Sequence, residues 1–202
     1  VHLNHGGTEM GQGLFTKVAQ VVASVFQIDL DNIKISATRT DKVPNTSATA
    51  ASSGSDLNGM AAFNAANTIK DRMTGVAAEI FDTDADQVEF RQNRVYAGNE
   101  SLSFSELAEQ TYNRRVQLSA AGFYSTPGLH WDAKSLIGNP FYYFTYGAAI
   151  AEVVIDTLTG ESRVLRADML QDCGNSLNPA IDIGQIEGAF VQGQGWLTSE
   201  EL

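Results

Sequence analysis

The chain has 202 residues, with 13 basic against 24 acidic side chains, a formal charge of −11, and 43% hydrophobic residues. This describes an acidic globular protein long enough for one large domain or two small ones. The acidic surplus and the lack of a Lys/Arg cluster remove the attraction that dominates nucleic-acid binding, and the longest apolar stretches, such as Gly147–Ile155, fall well short of the roughly 20 residues a membrane helix needs.

In chain order, residues 11–28 place Leu14, Val18, Val21, Val22 and Val25 three and four apart, which predicts a helix with one apolar stripe and a glycine-rich first turn. Residues 33–38 alternate apolar and polar and predict a short half-buried strand. Residues 41–56 are small and polar, a long loop of the kind that often carries function. Helical spacing returns over 57–80 through Leu57, Met60, Ala61, Ala65, Ile69 and Met73. Residues 88–91 and 94–97 predict a hairpin around Asn93, and Ser103 with Glu106 forms a capping-box signature ahead of a helix over 104–112. Strands are expected at 116–124, 142–156 and 162–171, with 156–160 turning the last two into a hairpin and 126–140 left as coil. Asn178 and Pro179 pair a favoured N-cap with proline at the first helical position, opening a helix through residues 183–197. Runs of strands beside separate helices predict an α+β fold with mixed sheets and packed helices, with possible sub-lobes at about 1–125 and 126–202.

Several segments carry possible chemistry. Residues 6–13, GGTEMGQG, stand at the mouth of a helix, where free N–H groups and the helix dipole favour an anion. The lysine and hydroxyl of a P-loop are missing after Gly11, and Thr16 stands where a dinucleotide fingerprint needs glycine. The segment therefore reads either as a ligand loop or as a tight structural turn. Residues 46–55, TSATAASSGS, offer hydroxyls and close backbone approach, or simply a flexible loop. Asp82, Asp84 and Asp86 imitate a calcium loop, but Gln87 and Asn93 replace its glycine and glutamate, so a solvated acidic turn is expected. His2 and His5 are read as two terminal histidines rather than metal ligands, and the single cysteine, Cys173, as a buried thiol in a reducing compartment. Glu9 and Glu187 are general-base candidates if held dry, with capping or ion pairing as the commoner fate. The last helix carries Gly184, Gly188, Gly193 and Gly195 beside Gln185 and Gln192, a glycine content that calls for close approach by a helix or a ligand. The N-terminus has neither an initiating Met nor a signal-like run, as expected of an internal piece of a longer protein.

Three stretches carry a family resemblance: residues 5–14 (HGGTEMGQGL), the pair 43–47 (VPNTS) and 49–52 (TAAS), and residues 178–193 (NPAIDIGQIEGAFVQG). Together with residues 120–124 and Tyr146-Gly147, they resemble the molybdopterin-binding part of the xanthine dehydrogenase family of molybdenum hydroxylases, and more narrowly its separate subunit in bacteria. The resemblance runs over nearly the whole chain, with 77–103 its least characteristic part. It implies a fold that forms part of the molybdenum-cofactor-binding domain of the xanthine oxidase family. It also implies oxidation of a purine, hypoxanthine or xanthine, to urate with water as the oxygen source. The molybdenum, held by its pterin, takes no direct protein ligand.

By the same resemblance, Gln12 hydrogen-bonds the pterin and Met10, Gly11 and Gly13 shape the loop around its phosphate-bearing end. Ala50 and Ala51 stand beside the molybdenum, with Ala51 the nearer, while Ser52, Ser53 and Gly54 continue the pterin contacts and Gln185 adds another. The family's catalytic glutamate, in a Gly-Glu-Pro motif, is not in this stretch, and its substrate-binding arginine and phenylalanines are expected before Val1. Neither Glu9 nor Glu187 is expected to replace that base, and this segment is expected to be inactive alone. Implied partners are the remainder of the molybdopterin subunit and an iron–sulfur and flavin subunit or set of domains carrying 2Fe–2S clusters, FAD and the NAD site, in the cytoplasm. Two alternatives are an aldehyde oxidase-type hydroxylase and a non-catalytic pterin- or anion-binding module.

Overall fold

The computed structural model describes residues 1–43 and 46–201, so Pro44 and Asn45 of the 43–47 motif, and Leu202, lie outside the described residues. The chain divides into two compact units, Val1–Thr126 and Pro127–Leu202.

The first unit is built on two helices. The apolar stripe forms α1, Leu14–Phe26, which buries Leu14, Val18, Ala19, Val22, Ala23, Val25 and Phe26. Gly13 starts the helix at φ 75° and Gln27 ends it at φ 55°, both in the left-handed region that breaks the helical repeat. α2, Gly54–Phe81, opens earlier than its apolar spacing suggests and buries Gly59, Ala62, Ala66, Met73, Val76 and Ala77 on one face. The small residues at 59, 62 and 66 bring α1 close: a Cβ on Gly59 would sit 3.7 Å from Cγ2 of Val21. Phe26 is 2% exposed, and its burial contributes about 1.5–3 kcal/mol.

His2–Leu3 (β1) pairs in parallel with Lys34–Ile35 (β2), a single crossover around α1 whose strands are too short for any periodicity to announce them. The Val1 nitrogen donates to Asn32 O at 2.7 Å, extending the contact between these two segments. Val88–Arg91 (β3), Arg94–Ala97 (β4) and Glu100–Ser103 (β5) form an antiparallel sheet. Gln92 and Asn93 turn its first hairpin with φ of 51° and 63°, and Asn93 Oδ1 accepts the Asp29 N–H at 2.7 Å, locking the turn to the end of α1. α3, Phe104–Asn113, starts with the expected capping box of Ser103 and Glu106. Its Leu107 and Thr111 are buried, and Phe104 sets its ring 5.3 Å from that of Phe26.

Residues 116–124, expected as a strand, form no ladder. Burial alternates there as in a strand, but the partner is the side of α2. Arg72 Nη1 donates to the carbonyls of Gln117 and Ser119 at 3.2 and 3.0 Å, and Asn64 Nδ2 to that of Phe123 at 2.9 Å.

The second unit contains His130–Asp132 (β6) paired with Ile137–Asn139 (β7), a small hairpin inside the stretch expected to be coil. Gly147–Ile155 (β8) and Ser162–Gln171 (β9) make the expected long hairpin, with a bulge at Glu152/Val153, while residues 142–146 stay outside it. α4, Pro179–Thr198, begins as the Asn-Pro pair requires, with Asn178 Oδ1 accepting the Ile181 N–H at 3.2 Å. Among the described residues this unit buries no large hydrophobic side chain. Cys173, expected to be buried, is exposed, because the polar turn after β9 has no apolar cover.

Candidate functional site

The N-termini of α1 and α2 lie side by side. Leu14, the first residue of α1, is 1% exposed, and its Cδ2 would meet a Cβ on Gly54 at 3.4 Å and one on Gly7 at 2.5 Å. One buried leucine thus joins the glycine turn, the first helix and the start of the second. The turn at 6–8 and the loop at 46–49 also touch directly. Any Cβ on Gly6 would overlap the Thr46 side chain, and the Thr8 N–H donates to Thr49 Oγ1 at 2.8 Å. Thr38 Oγ1 closes the other side by donating to Gly7 O at 2.7 Å.

A helix that begins at glycine has no side-chain cap of its own. Glu9 supplies the missing anion: Oε1 accepts the N–H groups of Gly11 and Gly13 at 2.9 and 3.0 Å, and Oε2 accepts that of Phe15 at 2.9 Å. Partial burial pushes the Glu9 carboxyl upward, but the N–H groups of Phe15, Gly13, Gly11 and Met10 outweigh it and hold the group below the usual carboxylate range. The N-terminal field of α1, which the sequence offers to a ligand anion, is met by the chain's own carboxylate. A carboxylate so engaged is a poor proton acceptor.

Inside that frame, Gln12 is folded over its own turn. Its Oε1 accepts the Met10 N–H at 2.6 Å and its Nε2 donates to Thr8 O at 2.8 Å. A primary amide has two N–H groups and two oxygen lone pairs, so each end keeps one further capacity. Gln12 and Gly13 are half-buried, whereas Met10 and Gly11 are exposed.

The second loop turns sharply. Ala51 and Ser52 both take positive φ, 58° and 56°, a conformation that costs an L-residue about 1–2 kcal/mol. Ala50, Ala51 and Ser52 are exposed, and Ser53 and Gly54 half-buried. Ser53 is the N-cap residue of α2 but makes no side-chain cap bond, because its Oγ donates backward to Ala50 O at 3.2 Å. Strain at two adjacent non-glycine residues, beside an N-terminus without a side-chain cap, marks this turn as shaped for something other than stability.

The structure joins the segments that carry these residues: Thr8, just before Met10–Gly13, bonds Thr49, just before Ala50–Ser53, and Leu14 lies against Gly54. Gln185 stands exposed on α4, in the second unit, where Cβ atoms on Gly184, Gly188 and Gly193 would meet nothing within 4 Å.

Sequence reasoning missed His5. It is 6% exposed, lies edge-on to Phe15 with ring centroids 4.9 Å apart, and accepts the Gly7 N–H on Nδ1 at 3.1 Å. The neutral ring then carries its proton on Nε2, which is buried with no hydrogen-bond partner among the described residues. Burial lowers its pKa more than the Glu9 carboxylate raises it, so the net shift is downward. The signal available was the apolar Phe15 across the glycine turn, which only the fold places against the ring.

Adjacent helix N-termini, a clamped glycine turn and a strained small-residue turn thus share one unit of an α+β fold. The chain belongs to the molybdopterin cofactor-binding domain family, whose pattern matches residues 1–202. It is 53% identical over 202 residues to the xanthine dehydrogenase of Oryza sativa subsp. japonica, covering 100% of this chain and 13% of that protein. To the xanthine dehydrogenase/oxidase of Mus musculus it is 48% identical, covering 100% and 14%. Among solved structures it is similar to the Cu,Mo-CO dehydrogenase, at TM-score 0.76 and 27% identity over 93% of this chain and 23% of that one. Quinoline 2-oxidoreductase from Pseudomonas putida 86 shares the fold at TM-score 0.74 and 21% identity, over 93% of this chain and 23% of its own. The chain spans about one seventh of the length of its curated relatives. Among the described residues no helix is long and apolar enough to cross a membrane.

Proposed function

We propose that this chain is the part of a xanthine dehydrogenase-type molybdenum hydroxylase that walls the molybdopterin cofactor. The observation that carries the reading is the link between the two segments: Thr8, ahead of the Gln12 turn, bonds Thr49, ahead of the strained Ala51–Ser52 turn, and Leu14 lies against Gly54 where the two helices begin. The residues fit such a group. Gln12 keeps one donor and one acceptor for the edge of a flat heterocycle, Ala50 and Ala51 leave room for metal ligands and substrate, and Ser52, Ser53 and Gly54 lead into a helix N-terminus. Met10, Gly11 and Gly13 shape the loop around the phosphate-bearing end of the cofactor, and since Glu9 satisfies α1, the free N–H groups for that anion are those at the start of α2. Gln185 on α4 is kept as a pterin contact on the family resemblance alone. When bound, the cofactor supplies the two-electron oxidation and the protein supplies position and field.

Within this reading, no residue of the chain moves the catalytic proton. Both oxygens of Glu9 are taken by backbone N–H groups, and Glu187 is exposed on α4. The remainder of the molybdopterin subunit provides the base and the substrate-binding groups. The bare apolar surface of the second unit supports such a neighbour. Electrons leave through 2Fe–2S clusters and FAD to NAD on partner domains or a second subunit, in the cytoplasm. The substrate is a purine, with hypoxanthine and xanthine carried to urate and the new oxygen drawn from water.

Turnover of the full-length protein in ¹⁸O-labelled water tests this. Xanthine-dependent reduction of NAD with label in urate is expected. Oxidation of aldehydes but not purines would instead assign the protein to the aldehyde oxidase type.

A further inference from the structure

The proposed function leaves Glu9 without a chemical task, yet its carboxylate is among the most heavily hydrogen-bonded in the chain. Its Oε1 takes the N–H groups of Gly11 and Gly13, the residues on either side of Gln12. Those two glycines have φ of 101° and 75°, and glycine loses more conformational freedom on ordering than any other residue. Without a clamp, the turn presenting Gln12 would sample many backbone states. With it, the Gln12 backbone is fixed on both sides, and its side-chain amide can reach Met10 N and Thr8 O together. The clamp is internal and charged, so it is in place before any ligand arrives.

We propose that Glu9 is a positioning residue for the cofactor, acting through Gln12: by tying down Gly11 and Gly13 it fixes the amide that hydrogen-bonds the pterin. The proposal rests on the reading of this turn as part of the cofactor seat. Preorganisation of this kind strengthens binding by removing the ordering cost at the moment of association. Glu9 also occupies the field of α1, so it sorts the two adjacent helix N-termini, one for the chain's own carboxylate and the other for the ligand.

The test is a double-mutant cycle on the full-length holoprotein, using Glu9→Gln, Gln12→Ala and both together. The measured quantities are the molybdenum and pterin content per chain and the first-order rate of pterin release in dilute chaotrope. Q12A is expected to speed release about tenfold, the effect of one to two lost hydrogen bonds, and E9Q by a comparable factor. Because Glu9 acts through Gln12, the double variant should release pterin no faster than Q12A alone. Additive effects, about a hundredfold together, would make Glu9 merely structural and overturn the proposal, as would an E9Q rate equal to wild type. Wild-type protein devoid of molybdenum and pterin would overturn the functional reading and this proposal with it. Should E9Q fail to accumulate, Glu9→Asp, which keeps the charge but is one methylene short of spanning Gly13 and Phe15, enters the same cycle with the same outcomes.

Discussion

The Phe15 N–H donates to Glu9 Oε2 at 2.9 Å, and the Phe15 ring stands edge-on to the buried His5 at 4.9 Å. A single residue in the first turn of α1 therefore links a charged cap to a neutral imidazole. Both groups are shifted downward, the carboxylate by backbone N–H groups and the imidazole by burial.

Glu9 has a folded-state pKa below its ordinary 4.5. Its stabilisation is thus fully present above about pH 4.5 and is lost as pH falls through the lower folded value. Glu9→Ala is expected to cost about 1 kcal/mol at pH 7, towards the low end for a lost helix cap because the side chain is half-exposed. Thermal melts of both proteins across pH should show the gap closing only below pH 4.5.

His5 loses its contribution on acidification too, but starting at higher pH. Its folded pKa lies below 6.5, so below that pH the unfolded chain binds the extra proton more readily. Stability is full above pH 6.5 and falls as the pH drops from there to the folded pKa, the Glu9 carboxylate being the neighbouring charge that opposes the shift. His5→Asn keeps an acceptor for the Gly7 N–H but cannot titrate. It should remove the acid-linked loss that sets in below pH 6.5, and an unchanged pH profile would place that loss elsewhere.

The turn at Ala51 stores strain. Replacing Ala51 with glycine, which tolerates its φ of 58°, should raise the stability of the cofactor-free protein by about 0.5–1 kcal/mol. Ala51→Val should lower it by more than that, since a β-branched side chain resists the left-handed region. Urea titrations would read both.

Gly122 sits where the extended segment crosses α2, and a Cβ there would overlap the Ala61 carbonyl. Backbone cannot yield as a flexible side chain does. Gly122→Ala should cost about 1–3 kcal/mol as an overpacking change and expose residues 116–124 to proteolysis, whereas Gly75→Ala, in α2 where a Cβ meets nothing within 4 Å, should leave that segment protected.

α3 and α4 were legible together with their starts because each pairs a helical stretch with a capping residue, Ser103 and Asn178, whereas α1 and α2 showed by apolar spacing alone, which set their starts three residues early and three residues late. What the sequence concealed has physical causes. Residues 116–124 alternate because one side lies on α2, and alternation reports half-burial without naming the partner as a strand or a helix. The two-residue strands β1 and β2 are shorter than any period. At the site, the small-residue turn and the Gln12 turn were visible as composition and family resemblance. The job of Glu9 was not, because a carboxylate capping a helix six residues ahead depends on two positive-φ glycines folding the chain back. His5 was read as a loose terminal residue, and its burial follows from the pairing of β1 with β2.

Metal and pterin content reads the proposed seat of molybdopterin at the Gln12 and Ala51 turns. The full-length protein, captured from its own cells, should carry about one molybdenum and one pterin per chain, with iron and flavin alongside. Gln12→Ala should lower the first two at unchanged folding. A folded full-length protein with no molybdenum or pterin would contradict the account.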